Sequence, residues 1–495
     1  MYNINLKRGS KMENKIHLSD NGYDFLVHYL TELYGERGKA KHNITRYLWS
    51  DEFGSKCKVP NNIEDILEVS HEQIKNLILR EKHFKTVADN LVRDYTNFEK
   101  KNKLTEKLEL EIGGILGVCP GPLPYEDRLL PHVVDFWVQN ENEGNEILKA
   151  TNEKPNVVSI MVRSVIDHLR KGQIYDFYGR HILSQGYVRN YFRGENAYYG
   201  KTKASMFRAL SSNAHEAKLQ NLILEIKMID FAIWLNTIKP LKNWPYSDIF
   251  HGAIAQHYGI KTNAIDVTSD IKVALFFACC KYDNQQNRWL PLNKSDFEFA
   301  NSRKFISELG GDSRYGVLFA MPADISNLGR VEQPDNFHVT GVSPIGFQPF
   351  LRCPYQSGYI IETGEPYDMY RDPNFAKVKF RHTEELCHYI YEEMDEGRKI
   401  YPNENTQEFE KITQRINNSN IYSSKAFDIA IQNLKILDAQ KEDMENGLKN
   451  MGYKKEEHIS WASEEEMLDI GNLAVSLKYL DESNIDPVFR IQFSI

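Results

Sequence analysis

Residues 264–280 read Ala264-Ile265-Asp266-Val267-Thr268-Ser269-Asp270-Ile271-Lys272-Val273-Ala274-Leu275-Phe276-Phe277-Ala278-Cys279-Cys280. The first five alternate as a half-buried strand does, so Asp266 and Thr268 share one face. Ser269 or Asp270 then caps an apolar helix expected over 271–280. A strand feeding a helix N-terminus sets free backbone N–H groups beside Asp266 and Thr268, an arrangement suited to an anion. Upstream, Gln256-His257-Tyr258 ends another helix before Gly259 and can supply an amide, an imidazole and an aromatic plate. Leu219, Leu222, Ile226, Ile229 and Ile233 mark a longer amphipathic helix stopped before Pro240. Further back, 186–192 predicts a strand that ends in a turn at Arg193-Gly194.

Downstream, 316–321 and 358–361 are two more buried-strand candidates. Phe427, Ala430, Leu434, Leu437, Met444, Leu448 and Met451 keep three-four spacing and predict a helix closed by Gly452. A last helix is expected over 464–480. Near the other end, Ser70 and Gln73 have capping-box spacing, and Ile74, Leu77, Phe84, Ala88, Leu91, Tyr95 and Phe98 follow as a helical stripe. Gly113-Gly114 and Cys119-Pro120-Gly121-Pro122-Leu123-Pro124 break regular structure and mark a boundary. The expected fold class is α+β: a mixed α/β domain with a small sheet, preceded by a mainly helical N-terminal region. The expected division is 1–124 helical, 125–185 connecting, 186–480 the mixed domain with its C-terminal helices, and 481–495 a tail.

Of the 495 residues, 41% are hydrophobic and 26% charged, with 27 Tyr and 25 Phe, enough apolar surface to argue against a disordered chain. A net charge of −8 gives no global attraction to nucleic acid or to an anionic membrane. No apolar run approaches the roughly 18 residues of a membrane-spanning helix. Six scattered cysteines without a C-x-x-C pair read as free buried thiols of a cytoplasmic protein, not as disulfides or zinc ligands. His251 and His257, six apart, lack helical ligand spacing, so no metal is expected. No P-loop, G-x-S-x-G elbow, H-E-x-x-H or G-x-G-x-x-G is present. Met1 and Met12 are alternative starts.

Phe192-Arg193-Gly194, the run Ala255-Gln256-His257-Tyr258-Gly259 with Thr262, and the strand and helix of 264–278 stand in one order. With Arg352, Gln356 and Gly358 as an Arg-x-x-x-Gln-x-Gly element, and with 448–474 as a closing segment, the chain resembles the bacterial FRG domain family. Asn263 and Ala264 stand where that family more often has Arg and Leu. The resemblance covers about 186–480 and implies an intracellular bacterial effector or toxin with a role in phage defence.

The order of an Arg-Gly strand, a Thr-Ser strand, an Ala-x-x-Phe-Ala helix and a third strand is also similar to the ADP-ribosyltransferase superfamily. That likeness implies NAD as substrate and an unknown protein or nucleic-acid acceptor. Arg193 would hold phosphate, a role its bidentate fork suits. Thr268 and Gln356 would orient the ligand. Glu362 or Glu195 would serve as the acid, because Gln356 occupies the place where a carboxylate is expected. Arg208, Gln256, His257, Tyr258, Asp266 and Ser269 complete the candidate nucleotide-binding set. A non-catalytic module recognising a nucleotide or a partner is the alternative. The residues also admit structural roles: Arg193 tying strands through Asp266, Thr268, Ser269 and Asp270 capping a helix, Tyr258 packing, and His257 a satisfied buried imidazole.

Overall fold

The computed structural model describes residues 2–7, 13–18, 66–82, 86 and most of 190–476; the larger intervals outside that set are 242–248, 299–310 and 323–341. The chain forms two compact units. One comprises Met1–Gln173, Gln185–Asn190 and Pro322–Asp324; the other comprises Ile174–Ser184, Tyr191–Met321 and Ile325–Ile495.

In the first unit, Tyr2–Lys7 pairs antiparallel with Glu13–Leu18, two strands where helix is expected. The capping box is realised: the Ser70 backbone N–H donates to Gln73 Oε1 at 2.8 Å, and the Gln73 N–H donates to Ser70 Oγ at 3.3 Å. The helix it starts spans 71–82 and buries Ile74, Leu77 and Ile78. The stripe from Phe84 to Phe98, the Pro/Gly cluster, the connecting region 125–185 and the tail 481–495 lie outside the described residues.

The second unit is built on six strands. In chain order these are β1 (Asn190–Glu195), β2 (Ala264–Thr268), β5 (Tyr315–Pro322), β6 (Ser343–Pro344), β7 (Gly358–Glu362) and β8 (Ala376–Arg381). The hairpin of β3 (Cys280–Asp283) and β4 (Arg288–Pro291) stands apart from them. Their spatial order is β8-β5-β1-β2-β7-β6. The pairs β1–β2, β2–β7, β7–β6 and β5–β8 are antiparallel. Thr268 faces Phe192 on one side and Gly358 on the other, so the three motif segments meet at one level of the sheet. Helices surround the sheet, and the fold is α+β.

β1 does not turn at Arg193-Gly194; it continues to Glu195. The reason lies behind Gly194, where helix α3 (Ile271–Cys279) crosses so closely that a Cβ would sit 1.7 Å from the Ala274 carbonyl oxygen. A strand without a side chain at that point can run on beneath the helix backbone. Asp270 is the N-cap of α3, accepting from the Lys272 N–H at 2.8 Å. The helix ends at Cys279 because Cys280 already begins β3.

Helix α1 (Ala214–Leu235) is capped by Asn213, whose side chain accepts from the His215 and Glu216 N–H groups. Its Leu219, Leu222, Ile223 and Ile226 pack on Phe427, Ala430 and Ile431 of α7 (Ser424–Asn433). The stripe predicted as one helix from Phe427 to Met451 divides into α7 and α8 (Asp438–Asn450). Lys435 adopts φ 52° and the Ile436 N–H bonds back to the Ile431 carbonyl. Ile436 therefore fills the core, and Leu437 is left 67% exposed. Several elements lie where no regular element was expected, among them the β3–β4 hairpin, β8, and helix α5 (Glu384–Glu393), capped by Thr383. The last helix is α9 (Glu464–Ser476).

Cys279, Cys280, Cys353 and Cys387 are buried and take part in no disulfide among the described residues. Among the described residues no helix is long and apolar enough to cross a membrane.

Candidate functional site

Where β1, β2 and β7 meet the start of α3, the second unit encloses a cavity of about 780 Å³. That lies within the 300–1,000 Å³ typical of small-molecule sites. Arg193, Glu195, Arg208, His257, Asp266, Thr268 and Gln356 all line it. Seven of the candidates are therefore brought together from five separate segments. Gln256, Tyr258, Ser269 and Glu362 are not among the lining residues.

Arg193 faces the cavity with its side chain 17% exposed. Its Nη1 donates to the Asp266 backbone carbonyl at 2.8 Å, which ties β1 to β2, and its Nε lies 3.5 Å from Glu195 Oε1. Arg208 lines the same space; burial, then the nearby Arg193 charge, holds its pKa below the ordinary arginine value. Lys201 and Lys203 bring the lining cations to four, against two carboxylates. A predominance of fixed positive charge in a concave site favours an anion.

Glu195 is committed to the scaffold. It is buried, accepts from Thr202 Oγ1 at 2.6 Å and from the Tyr370 hydroxyl at 3.3 Å, and faces Arg193. Thr202 is held again from its backbone N–H by Asp368 at 2.9 Å. The loop carrying Tyr199, Lys201 and Lys203 is thus pinned to the sheet.

Thr268 is a hinge pin between segments. Its hydroxyl donates to the Gln356 carbonyl at 2.7 Å and accepts from the Asp270 N–H at 3.0 Å. Gln356, also buried, donates through Nε2 to the Ile400 carbonyl at 3.3 Å. The Ser269 N–H donates to the Ser357 carbonyl at 3.2 Å, so this backbone donor closes a loop and is not presented to a ligand.

His257 and Asp266 differ from these satisfied groups. Among the described residues, neither His257 Nε2 nor Asp266 Oδ1 has a hydrogen-bond partner, although both atoms are buried. They stand 4.0 Å apart, the His257 side chain being 5% exposed and the Asp266 side chain 41%. Burial lowers the His257 pKa; Asp266 opposes that shift and Arg352 adds to it, which leaves a neutral imidazole at pH 7. Gly358 borders this place, where a Cβ would come within 3.7 Å of His257 Nε2.

The remaining candidates serve packing. Tyr258 is 5% exposed and lies against Phe350 and Phe409, with the Arg352 guanidinium 4.4 Å from its ring centre. Arg352 also pairs with Glu410 and donates to the His257 carbonyl at 3.3 Å, bracing the end of helix α2 (His251–His257). Gln256 accepts from the buried Thr262 hydroxyl. Glu362 sits opposite Ala264, four residues along β7 from Gly358, hence roughly 13 Å from the cavity end of the strand.

Lys201, Lys203, Tyr199, Phe277 and Trp289 also line the cavity and were not among the residues selected from sequence. Lys201 and Lys203 flank Thr202 only seven residues beyond the Arg-Gly pair, a local cluster that charge patterning could have flagged. Trp289 reaches the site from the β3–β4 hairpin, for which no sequence signal exists. Among the described residues, no group of three or more His, Cys, Asp or Glu side chains is placed to hold a metal ion.

Neither the curated proteins nor the solved structures contain a match to this chain. Arg352, Gln356, Gly358 and the 448–474 segment lie beyond the one stretch that a family model matches. That stretch, residues 188–287, matches the FRG domain and includes Phe192-Arg193-Gly194, α1, α2, β2 and α3.

Proposed function

We propose that the cavity binds a phosphorylated nucleotide, NAD foremost, with Arg193, Arg208, Lys201 and Lys203 drawing its phosphates. The observation that carries this reading is the conjunction of four cations with the rings of Tyr199, Phe277 and Trp289 around one 780 Å³ space. Guanidinium forks suit phosphate oxygens and aromatic faces suit a base or nicotinamide ring. The unpartnered His257 and Asp266 atoms supply polar anchors that a closed protein interior would otherwise satisfy internally.

ADP-ribosyl transfer is the second reading, and one observation favours it. Transfer needs a carboxylate near the reacting centre. Glu195 is engaged by Thr202, Tyr370 and Arg193, and Glu362 lies away from the cavity, but Asp266 lines it and keeps an unpartnered carboxylate oxygen among the described residues. Asp266 is therefore the acid this reading selects, in place of Glu195 or Glu362. NAD would supply the ADP-ribosyl group; this chain's residues would bind it, orient it and exclude water. A role as an effector or in antiphage defence is part of the same reading.

Incubation of the full chain with labelled NAD tests both. Retention of label on the wild-type protein, lost in Arg193→Ala, is the expected result for binding. Label passing to macromolecules of a cell extract, absent with Asp266→Ala, is expected for transfer. Binding without transfer or nicotinamide release would retain the recognition module alone, and no retention would overturn the nucleotide reading.

A further inference from the structure

Two polar atoms in the cavity wall, His257 Nε2 and Asp266 Oδ1, are buried, 4.0 Å apart and without hydrogen-bond partners among the described residues. Buried polar atoms are nearly always satisfied, so this pair calls for a group that arrives from outside the protein. We infer that His257 and Asp266 together clamp one ribose hydroxyl of the bound nucleotide. This inference rests on the nucleotide reading of the same cavity.

The geometry selects a hydroxyl. A single oxygen about 2.8 Å from each atom spans a 4.0 Å gap, the ordinary hydrogen-bond distance to both. An ionised carboxylate only accepts, so the bridging group donates to Asp266. With the neutral imidazole protonated on Nε2, the same group accepts from His257. A hydroxyl donates once and accepts at the same oxygen; a phosphate oxygen cannot donate and would be repelled by Asp266.

Position agrees with chemistry. The backbone carbonyl of Asp266 holds Arg193, while its side chain forms the clamp. One residue thereby sets the hydroxyl-binding pair beside the phosphate-binding guanidinium. Sugar hydroxyl and phosphate are neighbours in a nucleotide in the same way. The backbone of Gly358 passes close to the imidazole edge, an added Cβ lying 3.7 Å from Nε2.

The test uses calorimetric binding of NAD and of its four monodeoxy analogues, each lacking one ribose hydroxyl, to the full-length wild type and to Asp266→Ala. The Asp266 side chain is 41% exposed, so its truncation leaves packing intact, and the analogues probe the clamp without altering the protein. Loss of a hydrogen bond to a charged group weakens binding about tenfold or more. At least one analogue is expected to bind the wild type that much more weakly than NAD, and to show a several-fold smaller penalty in Asp266→Ala, where only His257 still meets the hydroxyl. Equal binding of all four analogues to the wild type would overturn the clamp while leaving the nucleotide reading standing. So would a hydroxyl penalty undiminished in Asp266→Ala. Failure of NAD itself to bind the wild type would overturn the nucleotide reading and the clamp with it.

Discussion

Gly194→Ala is a severe test of how the Arg-Gly strand and its helix fit together. The added Cβ would lie 1.7 Å from the Ala274 carbonyl oxygen, 2.7 Å from its carbon and 3.0 Å from the Ala278 nitrogen. All three are backbone atoms of α3, so no side-chain rotation relieves the clash. Reaching ordinary contact near 3.4 Å requires strand and helix to separate by about 1.7 Å. Well-packed interiors resist such movement, and overpacking costs about 1–3 kcal/mol where some accommodation exists. With backbone on both sides the loss should reach about 3 kcal/mol or more, lowering Tm by roughly 5 °C for a unit of this size. The same shift would carry Arg193 off the Asp266 carbonyl and weaken nucleotide binding. Thermal unfolding followed by far-UV circular dichroism measures the first effect. Gly252→Ala is the control, because only a Phe250 ring carbon at 3.9 Å lies near its Cβ and alanine favours helix. Gly194→Ala melting within about 1 °C of wild type would refute this account of the motif.

Three further outcomes are expected. Lys377 is buried in β8, donates to the Asp372 and Phe375 carbonyls, and has its pKa pushed down to about 8 mainly by burial. Below pH 8 the ammonium is charged in both states and burial is unfavourable; between pH 8 and 10.5 only the unfolded chain keeps the proton, so stability rises with pH by about 3 kcal/mol. Urea unfolding should show that rise in wild type and its absence in Lys377→Met, and equal slopes would contradict it. Thr268→Val removes the link to the Gln356 carbonyl and the Asp270 N–H, and should cost about 1–3 kcal/mol in urea unfolding while NAD binding persists. Lost binding with unchanged stability would make Thr268 a ligand contact instead. Glu195→Ala should destabilise by a similar amount by orphaning Thr202 and Tyr370, whereas Glu195→Gln, which keeps an acceptor, should recover most of it.

Much of the site was legible where the physics is local. The alternation of Ala264–Thr268 and the Asp270 cap fall where the pattern puts them, because both depend on neighbours within a few residues. Long-range packing was not legible. Nothing near Gly194 in the sequence says that a helix backbone eighty residues on will press against it. Lys377 is 4% exposed, and a lysine at a core position disguises β8 as a surface segment. The break between α7 and α8 is set by Lys435 in a left-handed conformation, with neither glycine nor proline to announce it. Tyr258 packs while Trp289 lines the cavity for the same reason: which ring packs and which faces the cavity is decided by tertiary placement.

The most direct test of the nucleotide site is calorimetric titration of NAD into the full chain beside Arg193→Ala and Glu362→Gln. Saturable binding to wild type, weakened about tenfold or more by Arg193→Ala and unchanged by Glu362→Gln, is the predicted result. Absence of binding to wild type, or equal affinity in Arg193→Ala, would contradict it.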